Sequence, residues 1–435
     1  MTSTAPERSP VAPVPLRPER RLAWVGQVAA AVACVAVGGR FPFMAGLTVP
    51  LLLAVLLAPA WIPAVRRFRT GTLIWVSGLV VVASGVVTTQ LMSADHRVDE
   101  RLLWNNSLLL VGLVTGVGML VWSRTVIGDR ATCLWYAVGL VLSIGFRGVD
   151  PDNPWKFTFS VPTVVLVLAL TAYLRGRVVQ LIALALLAVV SALNDSRSAA
   201  SIILIAATLV SWQMLQRMLR VRSTTTRTLA LFLVVAITGY FAMQAFILEG
   251  FLGEASQARS QAQIERSGSV LTGGRPEIGA SIALLERSPW GYGSGTLVNS
   301  GDLQAAKAGM HSLNYDPNNG YVERYMFGAG YEVHSLLGDF WTRFGILGAV
   351  FIVVLAVVVL VGAAKLVAEH RANPLVLYLA LQAVWDTLFS PFFFTSIAVM
   401  MIAVAMTLHR RSDRRAATHP ADTPATAPPS ADLTR

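Results

Sequence analysis

The chain has 435 residues, of which 54% are hydrophobic and only 14% charged, and it carries a formal net charge of +11. A soluble domain averages about 25% charged residues, so this composition excludes an ordinary soluble enzyme. The apolar stretches are long and unbroken, not alternating segments of ~10 residues, which excludes a β-barrel as well.

Residues 1–21 are rich in Pro, Arg and Ser and precede the first apolar run. That run, at 23–39, has no cleavage-type end, so it reads as a retained span behind a cytoplasmic tail. Apolar length then predicts about twelve spans. They fall at 22–38, 43–60, 71–92, 105–122, 131–147, 157–174, 178–193, 198–216, 228–248, 336–362, 374–390 and 392–409. The fold class is therefore an all-α polytopic membrane protein. Residues 22–248 form nine spans, 249–335 one large external loop, and 336–409 three more spans. Residues 410–435 form a cytoplasmic tail whose Pro/Ala/Thr composition predicts disorder.

Basic residues set the orientation. With the N-terminus inside, the cytoplasmic loops hold Arg66, Arg67 and Arg69, then Arg124 and Arg130, Arg175 and Arg177, Arg217, Arg220, Arg222 and Arg227, and Lys365 and Arg371. The net charge thus reads as topology and gives no reason to expect nucleic acid. The opposite loops are poorer in base, and they place Arg197 and the whole 249–335 loop on one face. Cys34 and Cys133 both lie in predicted spans, so neither a disulfide nor a cysteine metal site is implied.

The external loop opens with a Gln/Ala/Ser/Arg stretch at 249–269, suited to an amphipathic helix or to a mobile segment. Gly273-Gly274-Arg275-Pro276 follows. Pro favours the first helical position and Glu277 suits the positive end of the dipole. Ile278, Ile282 and Leu285 fall at helical spacing as one apolar face. Ser288-Pro289 ends that helix, and Gly291, Gly293 and Gly295 make a turn. No strand precedes that turn and no P-loop lysine follows it, so it is not a nucleotide motif. Tyr325, Phe327 and Tyr331 then lead to His334, an aromatic approach suited to a membrane interface.

Three residues could carry chemistry. Arg275 brings a guanidinium to a helix N-terminus, a combination that binds phosphate oxygens; the plainer alternative is a surface pair with Glu277. Arg197 lies at the mouth of a span on the face where bases are sparse; the plainer alternative is a pair with Asp195 or a snorkelling side chain. His334 offers an imidazole for proton transfer, on a predicted helix face shared with Gly338, Trp341 and Gly345. Asp339 and Arg343, at i and i+4, are expected to pair. His311 lacks partners at metal-ligand spacing. Asp95, Asp99 and Glu100 are a possible carboxylate set for a metal-dependent transferase, with Arg97 and Arg101 interleaved to neutralise them.

Three pieces carry a resemblance: SRSA at 196–199 opening a span, GRPEIGASIALLERSPWGYGSGT at 274–296, and HSLLGDFWTRFGILG at 334–348. In these the chain resembles the O-antigen ligase and polymerase superfamily of bacterial membrane glycosyltransferases. The likeness is strong in the second half; the first half matches in span number and hydropathy. It departs at Glu277-Ile278, where members often carry Trp, and at His334-Ser335, where they often carry His-Asn. The resemblance implies a GT-C-like fold in the bacterial cytoplasmic membrane with the site on the outer side. It implies a metal-independent, inverting transfer, with no cofactor, of a glycan from undecaprenyl diphosphate to the hydroxyl of a glycan or glycolipid acceptor. Arg197 and Arg275 would hold the diphosphate and His334 would activate the acceptor. Candidate substrate-binding residues are Arg197, Arg275, Glu277, Tyr325 and Tyr331. The alternative is a transporter or flippase of a lipid-linked or acidic substrate; nearly charge-free spans and the lack of a repeat between halves count against it.

Overall fold

The computed structural model describes residues 18–44, 46–174, 176–221, 223–248, 275–392 and 394–411, together with 257–258, 261 and 264–265. Most of the 249–269 stretch, residues 1–17 and residues 412–435 lie outside the described residues, so the expectations for the mobile loop segment and for the two tails fall outside them too.

Long apolar runs must satisfy their backbone groups internally, and the chain does so with helices. They are α1 (Pro18–Gly39), α2 (Val49–Leu56), α3 (Ala58–Val65), α4 (Gly71–Met92), α5 (Glu100–Val126), α6 (Gly128–Arg147), α7 (Ser160–Thr171), α8 (Arg177–Leu193), α9 (Arg197–Met218) and α10 (Thr225–Leu248). The loop region holds α11 (Glu277–Arg287) and α12 (Ser300–His311). The chain ends with α13 (Leu336–Ala368), α14 (Pro374–Phe389) and α15 (Phe394–Thr407). Among the described residues, strands are confined to a small antiparallel hairpin, β1 (Pro42–Met44) with β2 (Leu47–Thr48).

Among the described residues, five helices are long and apolar enough to cross a membrane: α4, α5, α9, α13 and α10 through Ala242. At 22 residues and 1.5 Å per residue, α4 spans about 33 Å, against a hydrocarbon core of about 30 Å. Shorter apolar helices at Ala23–Gly39, Trp155–Thr171, α8, α14 and α15 pack among them.

The run at 43–60 is not one continuous helix. Gly46 turns the hairpin at φ 79°, and prolines start both short helices, with Pro63 inside the second. A proline is welcome in a first turn but removes a hydrogen bond further in. The apolar length was right and the proline spacing broke it.

The helices alternate between two ends of the bundle. At the basic end, Arg69 N donates to His409 O and Arg411 N to Arg67 O. Arg410 reaches Arg124 O at 3.0 Å, and Arg217 reaches His370 O. At the other end sits the 275–335 region, with a small core of its own around Leu284, Tyr292, Met310 and Met326. It is tied down by backbone and side-chain bonds to α4 and α5. Gly295 N donates to Thr89 Oγ1 at 3.0 Å, and Asn106 Nδ2 donates to Ser294 O at 2.7 Å. Gly293 (φ 105°) is needed here, because a Cβ would sit 2.4 Å from Thr89 N.

Asp302 is the knot of this region. It is fully buried and meets His96 Nε2 and Arg287 Nε, each at 2.7 Å, and the Tyr331 hydroxyl. It also closes a capping box with Asn299 at the start of α12. A buried carboxylate is tolerated only when its lone pairs are used this fully.

Candidate functional site

Arg275 lies just ahead of α11, whose first residue is Glu277. Its Nη1 donates to Phe389 O at 2.9 Å, and its guanidinium carbon lies 5.6 Å from the Phe389 ring. The carbonyl is one that the end of α14 leaves without a helical partner. So Arg275 is docked on the bundle and does not form the surface pair with Glu277. The planar fork has five donors, and this contact commits one of them.

Glu277 instead accepts from the Tyr321 hydroxyl at 2.6 Å, while its second oxygen is buried without a partner. Burial and the Glu277 carboxylate push the Tyr321 phenol well up, so it remains the donor. The Tyr321 ring lies 5.7 Å from the His334 imidazole and 6.0 Å from Tyr325. Tyr321 therefore bridges the Arg275–Glu277 corner to His334. It enters a π-helical turn, Val322–Met326, and such turns often sit at functional sites.

His334 precedes α13; Ser335 is that helix's N-cap and accepts from Gly338 N. The expected shared face with Gly338, Trp341 and Gly345 is thus absent: His334 is outside the helix at φ 58°, and Gly345 itself breaks the helix at φ 69°. A left-handed histidine is a strained residue held by its surroundings. Its Nδ1 lies 3.4 Å from Glu332 O. A carbonyl only accepts, so Nδ1 is the donor in this contact, and in the neutral ring Nε2 is then the nitrogen with the lone pair.

Asp339 and Arg343 do not pair as expected. Asp339 is buried and accepts from Val333 N and Phe392 N, both at 2.7 Å. Arg343 turns to Glu332 at 3.6 Å and to Tyr331 O at 3.2 Å, and lies over the Phe392 ring. Burial pushes the Glu332 carboxyl up while Arg343 pulls it back. These bonds fix the 331–335 segment that positions His334.

Arg197 is the first residue of α9 and lies 3.7 Å from Asp195. Helix α9 packs on α14, and its other end is fixed to His370 by Arg217. Arg197 therefore lies at the same end of the bundle as Phe389 and the Arg275 it receives. Tyr331, by contrast, is buried, stacked on Tyr292 at 4.2 Å with its hydroxyl on Asp302; it is packing, not a surface for substrate. Tyr325 is 70% exposed. Asp99 caps α5 through Leu102 N, and among the described residues no three His, Cys, Asp or Glu gather as a metal would need. Cys34 and Cys133 are buried thiols.

Tyr321 and Glu332 were not singled out from sequence, and Asp339 was expected only as a partner of Arg343. The tyrosine in YDPNNGY looked like loop composition, and only the fold brings it to His334. No family model matches the chain, and neither a curated protein nor a solved structure matches it.

Proposed function

We propose that the chain is a membrane glycosyltransferase that moves a glycan from undecaprenyl diphosphate to an acceptor hydroxyl, by inversion and without a metal, on the outer face of a bacterial cytoplasmic membrane. What carries the reading is the convergence at one end of the bundle of a docked guanidinium, Arg275, and a strained imidazole, His334, through Tyr321. The basic loops gather at the opposite end, which is the cytoplasmic side by the charge rule.

The chemistry follows from those groups. His334 Nε2 takes the proton of the acceptor hydroxyl as its oxygen attacks the anomeric carbon. The bond from that carbon to the diphosphate oxygen breaks, and the electron pair leaves with the diphosphate. Arg275 and Arg197 offset the charge that develops there. Whether one glycan is transferred or repeat units are joined depends on the acceptor.

The test is turnover by purified protein with a lipid-diphosphate glycan in excess chelator. Product should form, and His334→Ala should lower the rate by about 10²–10⁴-fold, the usual worth of a positioned base, with donor binding retained. Full activity in His334→Ala would remove the base role. Loss in chelator that a divalent ion restores would remove the metal-free mechanism.

A further inference from the structure

Two arginines outside the site just described remain unexplained. Arg40 follows α1, and Arg147 is the last residue of α6. Both reach the Phe394 ring at the start of α15, with guanidinium carbons 5.2 and 3.9 Å from its centroid. The two like charges are thus no further apart than those two distances added. Among the described residues neither has a carboxylate within ion-pair distance.

Arg40 Nη1 is also buried without a hydrogen-bond partner. A buried donor left unsatisfied is costly, and more so on a charged group. Burial, with Arg147 adding to it, pulls Arg40 down to about 10, so it is still a cation at neutral pH.

Arg40 lines a cleft of about 360 Å³. Thr48, Asn105 and Asn106 give its wall polar groups, and Leu51 and Met401 give it apolar ones. The adjoining hairpin exposes Phe43 and Met44, as a segment at a membrane surface does. Arg147 lines a smaller cleft of about 230 Å³ with Thr158 and Asp150. Asp150 Oδ1 is already taken by the backbone N–H groups of Asp152 and Asn153.

We propose that the Arg40–Arg147 pair, at the start of α15 where Arg275 is at the end of α14, is a second anion site that takes the phosphate head of a membrane amphiphile. A phosphate supplies the missing acceptor for Arg40 Nη1 and offsets two repelling guanidiniums at once. The mixed wall of the cleft favours a lipid over a free ion, because an acyl chain can follow Leu51 and Met401. The proposal does not depend on transfer activity, and its test measures none.

The full chain in detergent is incubated with phosphatidylglycerol, phosphatidylcholine or inorganic phosphate, and bound lipid is counted by native mass spectrometry. Wild type should retain phosphatidylglycerol over phosphatidylcholine. The double variant Arg40→Gln/Arg147→Gln should retain at least about tenfold less, as for loss of a buried charge partner, while Arg275→Ala should retain it as wild type does. Thermal stabilisation by inorganic phosphate alone, lost in the same double variant, would assign the site to a free ion and overturn the lipid part. Wild type holding phosphatidylglycerol no better than phosphatidylcholine, with no stabilisation by phosphate, would overturn the proposal whole. That comparison uses no variant, so a poorly folding double variant does not blunt it.

Discussion

Arg275 shows how one side chain can be both docked and available. One N–H of its fork holds the Phe389 carbonyl, which fixes the plane of the guanidinium, and the other donors keep the geometry that grips phosphate in pairs. Arg275→Lys should therefore recover charge but not the fork. Donor binding should weaken by about 1–3 kcal/mol relative to wild type, read as a rise in Kd, with the lysine variant between wild type and Arg275→Ala. Equal binding by lysine and arginine would mean that only the charge matters. Tyr321 supports a different prediction. Its ring lies against His334 and its hydroxyl holds Glu277. Tyr321→Phe keeps the ring and leaves the Glu277 carboxylate buried without its donor. It should lower turnover through the Arg275–Glu277 corner while leaving the imidazole in place, and Tyr321→Ala should lower it further. Identical rates for the two variants would show that the ring does not position His334.

At the scale of elements, the expected apolar face of α11 is present and points away from the core of the loop region. Ile278, Ile282 and Leu285 are exposed, while Gly279, Ala280 and Leu284 are buried. The 3.6-residue period was legible in the sequence; which face is buried was not, because small residues also make a packing face. Gly279 and Gly309 bring α11 and α12 together so closely that a Cβ on either would lie 2.1–2.2 Å from the other's carbonyl oxygen. Gly309→Val should thus destabilise the loop region by about 1–3 kcal/mol, the cost of overpacking, seen as faster proteolysis between α12 and α13. Ile282→Ser should leave proteolysis unchanged, since that side chain is 53% exposed; sensitivity there would mean another surface covers α11. The membrane helices were more readable. Apolar length alone placed α4 at 71–92, because a span needs only length and hydropathy. The 43–60 run is broken into two helices, and length says nothing of where Pro50, Pro59 and Pro63 fall on a helix. His334 was singled out for its chemistry and misplaced on a helix face, since the left-handed turn ahead of Ser335 has no signature in HSLLGD.

For the molecule as a whole, the decisive property is which loops share an end. The bonds from Arg410 to Arg124 and from Arg217 to His370 collect four chain segments at one end. Asp302, through His96 and Arg287, collects the 93–99 turn and the 275–335 region at the other. Both native thiols are buried, so a cysteine introduced in a loop is the dominant target for a membrane-impermeant maleimide. In intact cells, cysteines at Asp152, Asp195 and Asn318 should label from outside. Cysteines at Arg69, Arg220 and Arg371 should label only after the membrane is opened. The expected pattern has a physical cause: basic loops resist translocation, and the roughly 1 kcal/mol per Lys or Arg gained at an anionic inner leaflet accumulates over the end that holds them. The pattern tests the fold and the chemistry together. If Asn318 and Asp195 label from opposite sides, α9 cannot deliver Arg197 to the end where Arg275 and His334 meet. If both label only from the inside, the site faces the cytoplasm, and a donor carried on the outer leaflet cannot reach it.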